Sequence, residues 1–302
     1  MTRRATPSRP AEPLSPFAIT LNAPAKLAAF LTALVAVFGV AYLVGTQSAA
    51  LLAAVPVHDS SRDFGGLSAT DAGYRVQMAE PTGEPGDDQF VEFLITGPDG
   101  NPVPGYTEID GAPMHLVAVR RDLTGFQHIF PQQGEGASWW AVLNLTRGPW
   151  RLIAEFQPAA LGRSLVLGTD LTISGDFQPQ PLPSTSERVE VDGFVATMLR
   201  PPSTASDSQM VITISRDGQP VTDLTPHHGS LGHAVILRPA DLGYLHPHAD
   251  PVAETYRGPD IAFSGGVPEP GTYRIFVEFN RDQGDRVHSP SHVAAFTTAV
   301  GA

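Results

Sequence analysis

Gly97–His128 reads GPDGNPVPGYTEIDGAPMHLVAVRRDLTGFQH, and Ser215–His246 reads SRDGQPVTDLTPHHGSLGHAVILRPADLGYLH. The two stretches align without a gap at an offset of 118 residues. Asp99, Gly100, Pro102 and Val103 meet Asp217, Gly218, Pro220 and Val221. Thr107 and Gly111 meet Thr225 and Gly229. His115, Val117 and Arg120 meet His233, Val235 and Arg238, and Gly125 and His128 meet Gly243 and His246. With a small gap, GPWRLIAEF (Gly148–Phe156) matches GTYRIFVEF (Gly271–Phe279). A period this long marks duplication of a whole domain, not a solenoid.

Each copy is made of strand signals. Gln89–Thr96 (QFVEFLIT) and Met210–Ser215 (MVITIS) alternate or run apolar and end in an Asp-Gly turn. His115–Val119 and His233–Leu237 are short apolar runs. Trp150–Phe156 and Tyr273–Phe279 alternate behind Gly-Pro or Pro-Gly turns. The 29 Gly and 29 Pro fit many turns and short strands. No window of either copy carries a helical period. The expected fold is all-β: two tandem immunoglobulin-like or cupredoxin-like β-sandwiches, over 71–176 and 191–302, after one transmembrane helix. The Pro- and Ser-rich stretch Phe177–Glu190 is the expected linker between them.

Upstream, residues 27–45 read LAAFLTALVAVFGVAYLVG, and no Asp, Glu, Lys or Arg occurs between Lys26 and Asp59. About 20 apolar residues cross a bilayer as a helix. Arg3, Arg4, Arg9 and Lys26 precede the run and predict a cytoplasmic N-terminus with both sandwiches outside. Residues 27–46 are therefore expected to be a signal-anchor. The competing reading is a signal peptide cut near Ser48-Ala49-Ala50 or Leu52-Ala53-Ala54. Residues 1–26 are expected to be a disordered cytoplasmic tail, and 47–70 a membrane-proximal linker.

The formal net charge is −12, and Lys26 is the only lysine. An acidic surface repels nucleic acid. The absence of cysteine excludes disulfides, thiolate metal sites and a Cys nucleophile. There is no nucleophile elbow, phosphate loop, dinucleotide fingerprint or His-Glu-x-x-His motif, so an enzyme is not expected. Arg120 and Arg238 are expected to pair with carboxylates beside their hairpins. Asp122 and Asp241 are expected to shape the turns.

Seven of the ten histidines lie in the second copy: His227, His228, His233, His246, His248, His288 and His292. A hairpin turning at Pro239–Leu242 sets His233 opposite His248, with His246 on the same strand face as His248. Cross-strand neighbours stand about 5 Å apart. Three imidazoles with an open position suit Cu(II) or Zn(II). His228, in the run Pro226–Gly229, is a candidate further ligand. The first copy keeps His115 and His128, has Phe130 where the second has His248, and reads as a weak, degenerate or structural site. Met114 beside it offers a thioether, which suits Cu(I). His233 also shares the parity of Val235 and Leu237, so a packed core histidine bonded to backbone stands beside the ligand reading.

Met114–Pro131 (MHLVAVRRDLTGFQHIFP) and Gly232–Asp250 (GHAVILRPADLGYLHPHAD) resemble the YtkA-like, heavy-metal-binding type of exported bacterial protein. That group carries a His…Asp-Leu…Phe/Tyr-x-His-x-His-Pro hairpin, then a strand of the type Pro-Gly-x-Tyr-Arg-x-Phe-x-x-Phe. Actinobacterial members have one N-terminal membrane helix and two such domains. The resemblance implies a metal site at His233, His246 and His248, and at His115 and His128. Phe130 replaces the last motif histidine of the first copy, and Ala249 follows His248 where the group has Pro. The expected function is a membrane-anchored extracytoplasmic metal-binding protein. Its ion is expected to be copper, or zinc, held as buffer or chaperone with the main site in the second copy. The alternative is a non-catalytic structural or interaction module docking a membrane partner.

Overall fold

The computed structural model describes residues 24, 28, 30–39, 63–226, 230–281 and 291–301. The N-terminal tail before residue 24, much of the apolar run, both cleavage sites, and His58, His227, His228 and His288 lie outside those residues. Residues 30–39 are helical, with Phe30, Val35 and Phe38 exposed. Among the described residues no helix is long and apolar enough to cross a membrane.

In the first copy, Tyr74–Met78, Gly86–Thr96 and Ser138–Leu145 lie side by side in one sheet. Buried and accessible residues alternate along Tyr74–Met78, so this sheet has one face on the core and one in water. The opposing sheet runs, in spatial order, Leu165–Ile173, Gly148–Pro158, Met114–Arg120 and Gln127–Ile129. Its central strands do not alternate: every residue from Met114 to Val119 is buried. Met114, Leu116 and Ala118 join Trp150, Leu152, Ala154 and Phe156 in the sandwich core. Successive side chains point to opposite faces, so His115, Val117 and Val119 face away from that core.

The second copy repeats the plan. Phe194–Arg200, Gln209–Arg216 and Asp260–Ser264 belong to its outer sheet. Gly243–Leu245, Gly232–Arg238, Gly271–Phe279 and His292–Val300 form its inner sheet. The chain is thus mostly β, in four largely antiparallel sheets that make two tandem sandwiches.

The two inner sheets pack face to face. Val117, Val119, Leu123 and Ile153 of the first copy pack with Val235, Leu237, Leu242, Tyr244 and Phe276 of the second as a third core. The Phe126 and Phe276 rings stack at 4.0 Å, 5° from parallel. Burying one such side chain contributes roughly 1.5–3 kcal/mol, so nine of them hold the sandwiches as one body. Asp59–Ala302 accordingly form a single compact unit, and residues 174–187 carry no strand.

Each copy is preceded by an Asp-Phe arm that fastens onto the other copy. Phe64 lies under the Arg238 guanidinium at 3.9 Å, and Gly65 bridges to Tyr244, whose carbonyl accepts from Gly65 N–H at 2.9 Å. Phe177, in the equivalent Asp176-Phe177 pair, lies 5.2 Å from the Arg120 guanidinium. Gln180 N–H donates to Asp122 at 2.9 Å, and Leu182 reaches the third core. The expected arginine pairs form: Arg120 with Asp122, and Arg238 with Asp241 and Glu269.

The hairpin around Pro239–Leu242 pairs Leu237 with Tyr244 and Ile236 with Leu245, the register expected. It does not continue to His248. Pro247 has no N–H to give to a ladder. His248–Ala249 then crosses to the outer sheet, where His248 pairs with Ser264. The partner of His233 is Glu278 on the neighbouring strand, not His248.

Candidate metal centre

His115 and His233 occupy the same position of matching inner strands, and those strands face each other across the third core. They therefore meet. The His115 ring centroid lies 6.0 Å from that of His233 and 5.2 Å from that of His246, and His233 and His246 are 6.2 Å apart. One nitrogen from each of the three lies within 4.8 Å of the others, a spacing that a metal ion bridges. The cluster is shared: one histidine comes from the first copy and two from the second. The expectation of a main site inside the second copy is corrected by this packing.

His128 sits on the next strand of the first copy, with Nε2 3.0 Å from His115 Nδ1. His248 is drawn away. Its side chain is 59% exposed and its Nδ1 meets Asp110 at 2.9 Å. His228 lies outside the described residues. His292 bonds Asp192 at 2.8 Å and packs on Phe194 and Phe279 instead. Met114 is buried in the sandwich core, on the face opposite His115, so its thioether is not a ligand here. Phe130 packs on the cluster, 5.1 Å from both His115 and His128.

Two glutamates complete the surroundings. Glu155 is the cross-strand neighbour of His115, and Glu278 that of His233. Each bonds a histidine of the other copy. His246 Nδ1 lies 2.8 Å from Glu155, and His128 Nδ1 lies 2.5 Å from Glu278. Tyr244 OH also donates to Glu155, at 2.9 Å. A carboxylate on Nδ1 fixes the ring and turns the Nε2 lone pair the other way. The fixed repeat places a carboxylate from each copy on a histidine of its twin.

The electrostatics keep these groups ready to bind a cation. Burial, followed by the charge of His246, lowers His115 to about 4, so it stays neutral. Burial acts to raise Glu155, but His246 and the bonds from His246 and Tyr244 outweigh it and hold the carboxyl down at about 2. Burial and the Glu155 charge push the Tyr244 hydroxyl well up, so it remains a donor. The His248 bond, against some desolvation, lowers Asp110 to about 2, and Asp110 raises His248 in return.

A pH dependence follows. An unfolded histidine takes a proton near pH 6.5, while His115 in place resists it down to about 4. Between these values the unfolded chain binds more protons, so stability falls as pH falls. Glu155 adds a loss of the same sign below about 4.5. Asp110, lowered by His248, adds a small loss of the same sign below about 4, and His248, raised by Asp110, changes its contribution only above about pH 6.5; the pair is solvent-exposed and contributes little. Metal-free protein is expected to lose roughly 3 kcal/mol between pH 6.5 and 4 through His115. Denaturant titration at several pH values checks this; a flat profile across that window contradicts it.

Two clefts reach the cluster. One of about 880 Å³ is lined by Asp110, Leu231, His233, His246 and Tyr256. Another of about 780 Å³ is lined by Phe64, Glu155, Arg163, Tyr244, His246 and His248.

Glu155, Glu278, Tyr244 and Asp110 were not singled out by the sequence reading. The signal for the glutamates was present: GPWRLIAEF and GTYRIFVEF each carry one carboxylate at the same place in a strand otherwise nearly all buried.

Residues 189–301 match a family described as Domain of unknown function (DUF8832). No curated protein matches the chain. Among solved structures, the Escherichia coli adhesin FdeC is 18% identical, with a TM-score of 0.26, over 77% of this chain and 65% of FdeC. The fibronectin(III)-like modules of Clostridium thermocellum CbhA are 10% identical, with a TM-score of 0.19, over 74% of this chain and 91% of theirs. The Yersinia pseudotuberculosis adhesin InvE is 9% identical, with a TM-score of 0.24, over 80% of this chain and 61% of InvE.

Proposed function

We propose that this chain is an extracytoplasmic protein, anchored by its N-terminal apolar segment, that holds a transition-metal ion between its two sandwiches. The observation that carries the reading is the convergence of His115, His233 and His246 nitrogens within 4.8 Å. The carboxylate on His246 supports it, because metal-binding imidazoles are oriented in this way. Imidazole suits copper and zinc alike. The resemblance to YtkA-like exported proteins supports the heavy-metal assignment, and with it the immunoglobulin-like or cupredoxin-like description of each sandwich. Burial of His115 and His233, with His246 half-buried at the cleft side, favours holding and release over catalysis. The clefts beside His246 favour exchange with a partner, as a buffer or chaperone requires.

Titrating the full-length protein with Cu(II) and Zn(II), followed by dialysis and metal analysis, tests this. One ion per chain is expected to be retained. His233→Ala combined with His246→Ala is expected to abolish retention while circular dichroism stays β. Unchanged stoichiometry in that double variant would rule the site out.

One observation favours a second reading. His115 is fully buried, with Nε2 on the Ile109 carbonyl at 2.8 Å and Nδ1 on His128. A packing histidine looks like this too. In that case the protein is a structural or interaction module, no ion survives dialysis, and a stoichiometric partner copurifies from solubilised membrane.

A further inference from the structure

The ring of His246 stands between the two clefts. The cleft of about 880 Å³ is lined by His233 and His246, but by neither Glu155 nor Tyr244. The cleft of about 780 Å³ is lined by Glu155, Tyr244 and His246, but not by His233. One side of the ring therefore belongs to the histidine cluster, and the other to a carboxylate and a phenol.

The hydrogen bonds say which nitrogen lies on which side. An ionised carboxylate only accepts, so His246 Nδ1 carries the hydrogen that it donates to Glu155 at 2.8 Å. In the neutral ring, the form that takes a metal, the lone pair is then at Nε2. The two ring nitrogens point in nearly opposite directions, so Nε2 faces away from Glu155. One nitrogen of His246 does converge with nitrogens of His115 and His233. Nε2 is the one left to do so.

Tyr244 makes the arrangement firm. Its hydroxyl donates to Oε2 of Glu155, the same oxygen that His246 uses. Both Glu155 and Tyr244 are buried. The repeat sets Tyr244 against Phe126 of the first copy, so the twin strand folds with a similar ring and no hydroxyl. Packing alone does not call for that hydroxyl. Holding the Glu155 carboxylate against His246 does.

We infer that Glu155 and Tyr244 are positioning residues that commit His246 to the ion through Nε2, and that the ion enters and leaves in front of that nitrogen, through the cleft lined by Asp110, Val252 and Tyr256. This rests on the metal-holding reading above and deepens it. The rear cleft, along Leu67 and Arg163, carries no metal traffic.

Nitrogen-15 spectra of the histidines in full-length protein, loaded with one equivalent of Zn(II), test the positioning role. The His246 signals, identified by comparison with His246→Ala, are expected to show Nε2 on the metal and Nδ1 protonated. Glu155→Ala is expected to weaken Zn(II) binding about 10- to 100-fold and to let His246 change the nitrogen it uses. Tyr244→Phe restores the residue of the first copy and is expected to weaken binding about 3- to 10-fold with Nε2 retained. A merely structural role would lower stability without changing the nitrogen. Coordination through Nδ1, or unaltered Zn(II) affinity in both variants, would overturn the positioning role.

The chain has no cysteine, so single introduced thiols probe the two clefts. Val252 is exposed on the front cleft and Leu67 on the rear one. Val252→Cys carrying a bulky maleimide is expected to pass Zn(II) to a chelator at least about 10-fold more slowly than the same variant with a methylthio cap, whereas the two forms of Leu67→Cys stay within about 2-fold of each other. Slowing at Leu67 that equals or exceeds that at Val252, or none at either, would overturn the front route. Zn(II) lost from the unaltered protein on dialysis would overturn the metal-holding reading itself.

Discussion

Full-length protein stripped of metal and reloaded with one equivalent of Zn(II) is expected to melt about 8–16 °C higher than the stripped form. An ion held a thousandfold above its dissociation constant stabilises the folded state by about 4 kcal/mol. A body of this size gains about 2–4 °C per kcal/mol. The gain should appear as one cooperative transition, because the ligands come from both copies and the inner sheets share a core. Scanning calorimetry with and without Zn(II) checks it. The His233→Ala, His246→Ala double variant serves as the control and should show no gain. An equal gain in that variant would place the stabilising ion elsewhere.

Phe276→Ala is expected to remove about 3–5 kcal/mol of stability, the cost of emptying a large buried aromatic site. Its ring stacks on Phe126 of the other copy, in the third core and not in the histidine cluster. Metal affinity should nonetheless fall sharply, because the site exists only while the two inner sheets remain in register. Phe296→Ala is the matched comparison. That ring lies in the core of the second sandwich alone, so a similar loss of stability should leave affinity close to normal wherever the variant stays folded. Metal titration of both variants well below their melting points separates the cases. Equal affinities would show that the site does not depend on the packing of the two copies.

Much of the fold was legible in the sequence because duplication prints the same signals twice. Strand spacing, Asp-Gly turns and the repeated Trp-Arg and Tyr-Arg strands fixed the sandwiches locally. The hairpin register was legible as far as Leu245, where turn geometry governs it. Beyond it, Pro247 sends the chain to the other sheet, and a local rule about cross-strand neighbours no longer applies. The same limit explains the site. His115, His128, His233 and His246 were all named as candidates, but they were sorted by copy. Nothing in a linear pattern states that two inner faces meet. The trace it left was subtler: Met114–Val119 and Gly232–Leu237 are apolar on both parities, as a strand covered on both faces must be. The parity of His233 with Val235 and Leu237 pointed to burial. The burial is against the twin copy, not inside its own sandwich. Asp110 and His248 lie 138 residues apart in sequence, a pairing with no local signature.

The exchanged Asp-Phe arms bear on ancestry. Phe64 and Phe177 open successive copies, and each ends on the arginine of a matching hairpin, Arg238 or Arg120. An interface in which residue i of one partner meets residue j of the other, and j meets i, is what a two-fold homodimer uses. A single ancestral module, pairing with itself, would already present the same valines, histidines and crossed glutamates. Joining two such modules end to end makes the pairing intramolecular, so that it no longer depends on concentration. It also releases the halves from identity: Phe130 and His248 now stand at one ancestral position, free to cap the cluster on one side and to meet solvent on the other.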